Sequence, residues 1–322
     1  MRATVFVSGV LPGDATARLA EDFDVVQADD GVRSSAFVEC ASRVRAIVAL
    51  LTDRIDEDLL ARAPNLSVVA NVAVGVDNID LDACAARGVV VTNTPDVLTE
   101  ATADLAFGLL LAAARRICEG DRLVRAGGWT GWTPTFMLGQ PVHGMTLGIV
   151  GLGRIGRAMA RRARGFGMPV LYHQRERVQE GFERALGATW VPSLDDLCAA
   201  SDAVTIHVPL TDATRHLFDA PRLARMRPGS VLVNTSRGPI VDEAALAQAL
   251  AAGRPGAAGL DVFEREPAVA PALLERQDVV LTPHIGSADT ATRIAMARIA
   301  AENVLRLLAG EPALSPVPAR QR

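Results

Sequence analysis

Residues 151–156 read Gly151-Leu152-Gly153-Arg154-Ile155-Gly156, after the apolar run Leu147–Val150 and before the helix-like run RAMARRARGFG. A G-x-G-x-x-G loop between a strand and a helix is built to hold a pyrophosphate. Gly151 permits the tight turn, Gly153 lets the backbone approach the phosphates, and Gly156 allows close helix–strand packing. The free N–H groups and positive dipole end of the helix start, at Arg154 and Ile155, favour an anion. An NAD-binding fold places Asp or Glu at the end of the next strand, about twenty residues on, for the ribose 2′-OH. Here that stretch is Leu171-Tyr172-His173-Gln174-Arg175-Glu176-Arg177. No acid stands where the strand ends, and Arg175 and Arg177 lie just beyond. Guanidinium forks suit a 2′-phosphate, which predicts NADP(H) in preference to NAD(H). Two solvated arginines beside Glu176 are the plainer alternative.

A nicotinamide dinucleotide implies hydride transfer to a carbonyl, and the resulting alkoxide needs a proton. The chain has no lysine, so all 33 basic residues are arginine. Its four cysteines, Cys40, Cys84, Cys118 and Cys198, form no CxxC pair, which argues against a zinc site. The donor is then expected to be one of five histidines. His173 lies at the adenosine end, His143 in a long loop, and His216 in the polar, helix-like stretch TDATRHLF. His207 ends a strand and is able to face the cofactor. His284, in Leu281-Thr282-Pro283-His284-Ile285-Gly286, follows the C-terminal end of the last strand, where open parallel sheets bind ligands. Position favours His284. A catalytic imidazole calls for a carboxylate that fixes its tautomer, and Glu266, after the adjacent strand, is the natural candidate. Arg237 follows a further strand at the same edge. Each alone also reads as a surface ion-pair residue; their shared location predicts one crevice.

The missing lysine excludes Schiff-base enzymes, ordinary P-loop NTPases and kinases. Tyr172 is the only tyrosine, so a Tyr–Lys donor pair cannot be built. At 322 residues the chain has room for about two domains. Apolar residues at 49% and charged residues at 22% predict sizeable cores and exclude wholesale disorder. A net charge of -4 with no strongly basic lobe argues against a nucleic-acid partner. The start MRATVFVSGV has too short an apolar run for a signal peptide. Leu105–Ala114 is about half the length of a membrane span. Unpaired thiols suit a reducing cytoplasm.

Short β-branched runs alternate with Ala/Leu-rich helical runs, which predicts parallel sheets covered by helices. Strands are expected at Thr4–Val7, Ala46–Leu50, Ser67–Asn71, Val89–Thr92, Leu147–Val150, Pro169–Tyr172, Ala203–Val208, Ser230–Asn234, Ala258–Val262 and Val279–Leu281. Helices are expected between them, among them Ile155–Gly165, Glu243–Ala252 closed by Gly253, and Asp289–Leu308. One long helix is expected over Thr99–Cys118, followed by a Gly/Trp/Pro-rich loop to Gly144. Residues 311–322 read as a loose, proline-rich tail.

Six motifs, in order, resemble the D-isomer-specific 2-hydroxyacid dehydrogenases over nearly the whole length. They are NVAVGVD at Asn71–Asp77, TPDVLTEATAD at Thr94–Asp104, GLGRIG, VNTSRGPIVDEAAL, LDVFEREP and TPHIGSA. Within the family the chain is most similar to the glyoxylate/hydroxypyruvate reductases, a group that includes 2-ketogluconate reductases. The TPDVLTEATADLA run and the loop from Gly127 to Trp132 carry that likeness. The resemblance implies an α/β protein with two doubly wound parallel-sheet domains. Residues 1–97 and 288–322 would form a flavodoxin-like substrate domain, and 98–287 an inserted Rossmann domain.

It also implies roles. Arg237 would bind the substrate carboxylate or carbonyl, Glu266 would support His284, and His284 would be the acid. The backbone of Val74 and Gly75 would bind the carboxylate. Gln174, Val208, Pro209, Thr235, Ser236, Asp261 and Gly286 would join the glycine loop, Arg175 and Arg177 around the cofactor. No metal is expected. The family pairs as a homodimer through the long helix and the loop after it, and in the reductase group a neighbour's loop, the one that carries Trp132 and Phe136 here, can reach the site. The activity implied is NADPH-dependent reduction of glyoxylate, hydroxypyruvate or 2-ketogluconate. The alternatives are an NAD-linked relative such as a phosphoglycerate or phosphite dehydrogenase, or a dinucleotide-sensing co-repressor-like binding protein.

Overall fold

The computed structural model describes residues 2–318. The chain divides after Leu98 and before Ser287 into two compact units, one made from both chain ends and one from residues 99–286.

The unit built from the ends holds five parallel strands: β1 (Thr4–Val7), β2 (Asp24–Gln27), β3 (Val44–Ala49), β4 (Val68–Asn71) and β5 (Val90–Thr92). Their order is β2-β1-β3-β4-β5, the flavodoxin-like arrangement. β1 and β4 are buried throughout and β3 from Ala46 onward, so Val5–Val7, Ala46–Ala49 and Val68–Ala70 are apolar runs rather than alternating ones. β2 escapes sequence reading because it is a half-exposed edge strand, Asp-Val-Val-Gln, with two apolar residues only. Helix starts are set by side-chain caps. Asp56, Asp80 and Asp289 accept from the amides of Leu59, Ala83 and Thr292.

Residues 311–318 are not loose. Pro316 bridges Thr92, and the Val317 amide donates to Val91 O at 2.8 Å. The buried Asn303 side chain accepts from Leu314 N at 2.9 Å and donates to Ser315 Oγ at 2.9 Å. Proline richness suggests a free tail, but the buried Asn303 side chain and the edge of β5 together give this segment backbone partners. The last four residues of the expected tail lie outside the described residues.

The second unit carries seven parallel strands: β6 (Leu147–Val150), β7 (Val170–His173), β8 (Ala188–Trp190), β9 (Ala203–Ile206), β10 (Val231–Asn234), β11 (Ala257–Leu260) and β12 (Val279–Leu281). Their order is β12-β11-β10-β9-β6-β7-β8, a Rossmann order extended by one strand. The order reverses between β6 and β9, and the loops that follow them open on the same edge. The expected helix over Thr99–Cys118 is two helices, Thr99–Ala114 and Ile117–Arg125. Arg116, in the left-handed region at φ 56°, separates them, and its guanidinium is held by Glu119. The first helix buries one broad face, which includes Ala103, Ala106, Phe107 and Leu110, while the second buries none.

Candidate active site

The phosphate loop follows from steric need. A Cβ on Gly151 would lie 2.9 Å from the His207 carbonyl, and one on Gly156 only 2.1 Å from Gly151 O. These two glycines hold the turn against β9 and the helix against the turn. Gly153 is different: a Cβ there would meet nothing within 4 Å. It caps the twelve-residue helix Arg154–Gly165, so the open space lies at that helix's positive end. The Leu152 amide donates to Gln174 Oε1 at 3.0 Å, which ties the loop to the end of β7. Two enclosed polar atoms, Thr235 Oγ1 and His207 Nδ1, have no hydrogen-bond partner among the described residues. They sit after β10 and at the end of β9, beside the glycine loop. An open cradle and orphaned polar atoms at a switch point fit a bound dinucleotide.

The two arginines beyond β7 part company. Arg177 makes a bidentate pair with the nearly buried Glu183, at 2.8 and 2.7 Å. Glu183 also accepts from the buried Tyr172 hydroxyl at 2.6 Å, and that hydroxyl accepts from the Val178 amide. The Arg177 and Tyr172 hydrogen bonds hold the Glu183 carboxyl down at about 2, against the opposing effect of burial. The guanidinium of Arg177, expected as a phosphate ligand, braces the loop through Glu183 in this structure. Arg175 is exposed and pairs with no carboxylate among the described residues.

His284 follows β12 in a turn organised by Asp261. The buried Asp261 carboxylate accepts from Thr282 Oγ1 at 2.6 Å and from the amides of Ile285 and Gly286, both at 2.8 Å. Burial pushes its carboxyl above the usual range despite these bonds. The His284 amide donates to Asp261 O at 2.8 Å, and the residue itself is left-handed at φ 54°. His284 Nδ1 meets Glu266 Oε2 at 2.8 Å. Glu266 Oε1 accepts from the Phe263 amide at 3.0 Å, so the carboxylate is fixed at both oxygens. Burial raises the Glu266 carboxyl, but the bonds from His284 and Phe263 outweigh it and hold the group below its ordinary value. A carboxylate only accepts, so Nδ1 carries the hydrogen and Nε2 is left for chemistry.

Arg237 follows β10 in a turn shaped by Asn234. The Asn234 side chain accepts from Ser236 N at 3.0 Å and donates to Arg237 O at 2.9 Å. Sequence reading passed over Asn234, although an Asn closing a strand before Ser is the usual signal for such a turn. Ser236 Oγ donates to Ile206 O at 2.8 Å, joining the turn to β9. Val208 packs at the Gly151 position, and the Pro209 carbonyl accepts from Thr214 Oγ1 at 2.7 Å.

The remaining histidines separate on geometry. His207 Nε2 lies 2.9 Å from Thr205 Oγ1, and burial pushes the imidazole down to about 3. The residue is half-buried, but its Nδ1 is fully enclosed, so the ring stays neutral near pH 7. That removes it as a proton donor. His173 Nδ1 contacts Val191 O at 3.0 Å, and His143 is exposed before β6. The expected helix around His216 is a run of turns, with His216 itself left-handed at φ 48°.

In the other unit, Val74 and Gly75 lie in the loop after β4. Asn93 Nδ2 donates to Val74 O and Asn71 Nδ2 to Gly75 O, both at 2.8 Å. Both carbonyls are thus occupied, and neither amide donates to another described residue. Among the described residues no cluster of His, Cys, Asp and Glu is arranged to hold a metal ion. Among the described residues no helix is long and apolar enough to cross a membrane.

Comparison with known proteins gives a consistent result. The sequence profile of the D-isomer specific 2-hydroxyacid dehydrogenase NAD binding domain matches residues 107–286. A glyoxylate reductase of Korarchaeum cryptofilum is 48% identical over 316 residues, covering 97% of this chain and 94% of that protein. One from Pyrococcus horikoshii is 46% identical over 317 residues, covering 97% and 94%. Among solved structures, the NADPH-dependent glyoxylate/hydroxypyruvate reductase of Sinorhizobium meliloti, in complex with NADP and malonate, is 39% identical. Its TM-score is 0.89, with 100% of this chain and 99% of that chain covered.

Proposed function

The chain belongs to the D-isomer specific 2-hydroxyacid dehydrogenase family, and from that premise we propose that it reduces glyoxylate and hydroxypyruvate, and also 2-ketogluconate, with NADPH. It is a nicotinamide-dinucleotide-dependent oxidoreductase acting on a CH–OH group. The observation that carries the finer reading is the 2.8 Å contact between Glu266 and His284, on the sheet edge that also holds the glycine loop.

The bound dinucleotide supplies the hydride that C2 of the keto acid accepts. The glycine loop and the helix start at Arg154 and Ile155 hold its phosphates, with Gln174 fixing the loop. Thr235, Ser236, Val208, Pro209 and the Asp261–Gly286 turn line its path. Arg237 orients the substrate carboxylate with its guanidinium fork. Val74 and Gly75 offer two backbone amides suited to a carboxylate. His284, oriented by Glu266, gives its Nε2 proton to the carbonyl oxygen as that oxygen gains charge, which yields the 2-hydroxy acid. Glu266 then holds the neutral imidazole in place for reprotonation from solvent.

Support for NADPH comes from the exposed Arg175, which pairs with no carboxylate among the described residues, and from the absence of an acid at the end of β7. Pairing with a second copy fits the exposed apolar side chains Ile117, Val124, Trp129, Trp132, Phe136 and Leu138, which cluster along one helix and the loop after it. NADPH oxidation measured with glyoxylate, hydroxypyruvate and 2-ketogluconate, then repeated with NADH, tests the proposal. Turnover of glyoxylate with NADPH well above NADH is expected. Turnover of none of the three acids would overturn it.

A further inference from the structure

Three loops at the C-terminal sheet edge, those following β9, β10 and β11, meet at a point that the proposed chemistry does not use. His216, in the first loop, places Nε2 at 3.0 Å from Oε1 of Glu264, in the third. The carboxylate only accepts, so this nitrogen donates. The same oxygen accepts the Glu243 amide at 3.2 Å, and Glu243 Oε1 in return accepts the Glu264 amide at 2.7 Å. Glu243 opens the helix Glu243–Ala251, which begins shortly after Arg237. Backbone bonds complete the junction. His216 N donates to Pro239 O at 2.8 Å, Phe218 N to Ile240 O at 3.0 Å, and Asp242 N to Phe218 O at 3.1 Å. Gly238 sits so tightly on the third loop that a Cβ would lie 1.8 Å from the Phe263 carbonyl carbon.

A contact this open, at 45% and 24% side-chain exposure, adds little stability alone. Its placement is what matters. Glu264 is two residues from Glu266, and Phe263 is the residue whose amide fixes Glu266. Movement of the Glu264 segment is therefore movement of the carboxylate that holds His284.

We propose that His216 and Glu264 are positioning residues for the reduction: their contact seats the Glu266 loop on the Arg237 loop and keeps Glu266 within reach of His284. The inference rests on the acid role of His284 proposed above. If that is right, loosening the junction weakens the support of the charged imidazole, and the alkaline limb of the pH profile moves to lower pH.

The test is the pH dependence of kcat/KM for glyoxylate with NADPH, beside thermal midpoints, in His216→Ala, Glu264→Ala and Glu264→Gln. The alanine variants are expected to lose about tenfold in kcat/KM and to shift the alkaline limb downward. Glu264→Gln, whose amide oxygen still accepts both bonds, is expected to recover most of the loss and restore the limb. If an alanine variant does not fold, His216→Asn, which suits the left-handed backbone and whose shorter amide stops short of Glu264, gives the same reading. A limb that stays in place when the donor is removed overturns the proposal, whatever happens to the midpoint. His284→Ala separates the two readings. If turnover survives His284→Ala, the acid role has failed. If it is lost there while the limb is unmoved in His216→Ala, only the positioning role has failed.

Discussion

Glu266 and His284 meet at 2.8 Å through Oε2 and Nδ1, although they follow different strands and stand 18 residues apart. The other Glu266 oxygen is fixed by the Phe263 amide, and the His284 turn is fixed by buried Asp261. Both partners are thus held by backbone before any substrate arrives, which is what general acid catalysis requires of its donor.

Removing that donor tests its role directly. His284→Ala is expected to lower kcat by roughly 10²–10⁴-fold, with NADPH still bound. Steady-state kinetics with glyoxylate, together with cofactor titration by fluorescence, measures both. Near-normal turnover would sink the assignment.

Arg237 should behave differently, because its fork acts on the ground state as well as the transition state. Arg237→Ala is expected to raise KM for the keto acid strongly and to lower kcat as well. Arg237→Lys should recover only part of the loss, since a point charge lacks the bidentate geometry. An unchanged KM in the alanine variant would exclude the carboxylate role.

The two arginines after β7 should separate by cofactor. Arg175→Ala is expected to weaken NADPH by about ten- to a hundredfold relative to NADH, the scale of losing a charge-assisted contact to phosphate. Arg177→Ala should instead lower the thermal midpoint, by releasing the Glu183–Tyr172 network, and should disturb both cofactors alike. Equal effects of Arg175→Ala on NADPH and NADH would refute the 2′-phosphate role.

His207 makes a pH prediction about stability. Its imidazole is pushed from 6.5 down to about 3 by burial, so the folded state binds fewer protons than the unfolded state in that range. Stability must then fall as pH drops below 6.5, and the loss continues until the folded group titrates near 3. His207→Gln has no titrating group and should flatten the curve of urea midpoint against pH over that window. A slope identical to the parent would show that the ring is not held neutral.

Much of this protein is legible in one dimension because the causes are local. Gly151, Gly153 and Gly156 are spaced by the geometry of one turn. Buried parallel segments such as Ala46–Ala49 are continuous apolar runs because both faces are covered. The family motifs lie in those same segments, so fold class and family follow from the sequence. Where the cause is distant, sequence reading goes astray. Arg175 and Arg177 look alike in the chain, and only the packing of Glu183 against Tyr172 makes one a brace and leaves the other exposed. The proline-rich end reads as loose until Asn303, on a neighbouring helix, supplies its hydrogen bonds. His207 and His284 both follow strands at the same edge. Enclosure keeps the first neutral, and a carboxylate from another strand supports the second. The sequence by itself determined which residue types exist to bind a dinucleotide and to move a proton. The tertiary structure alone decided which of them are paired, buried or open, because partners and desolvation come from segments that the chain order does not bring together.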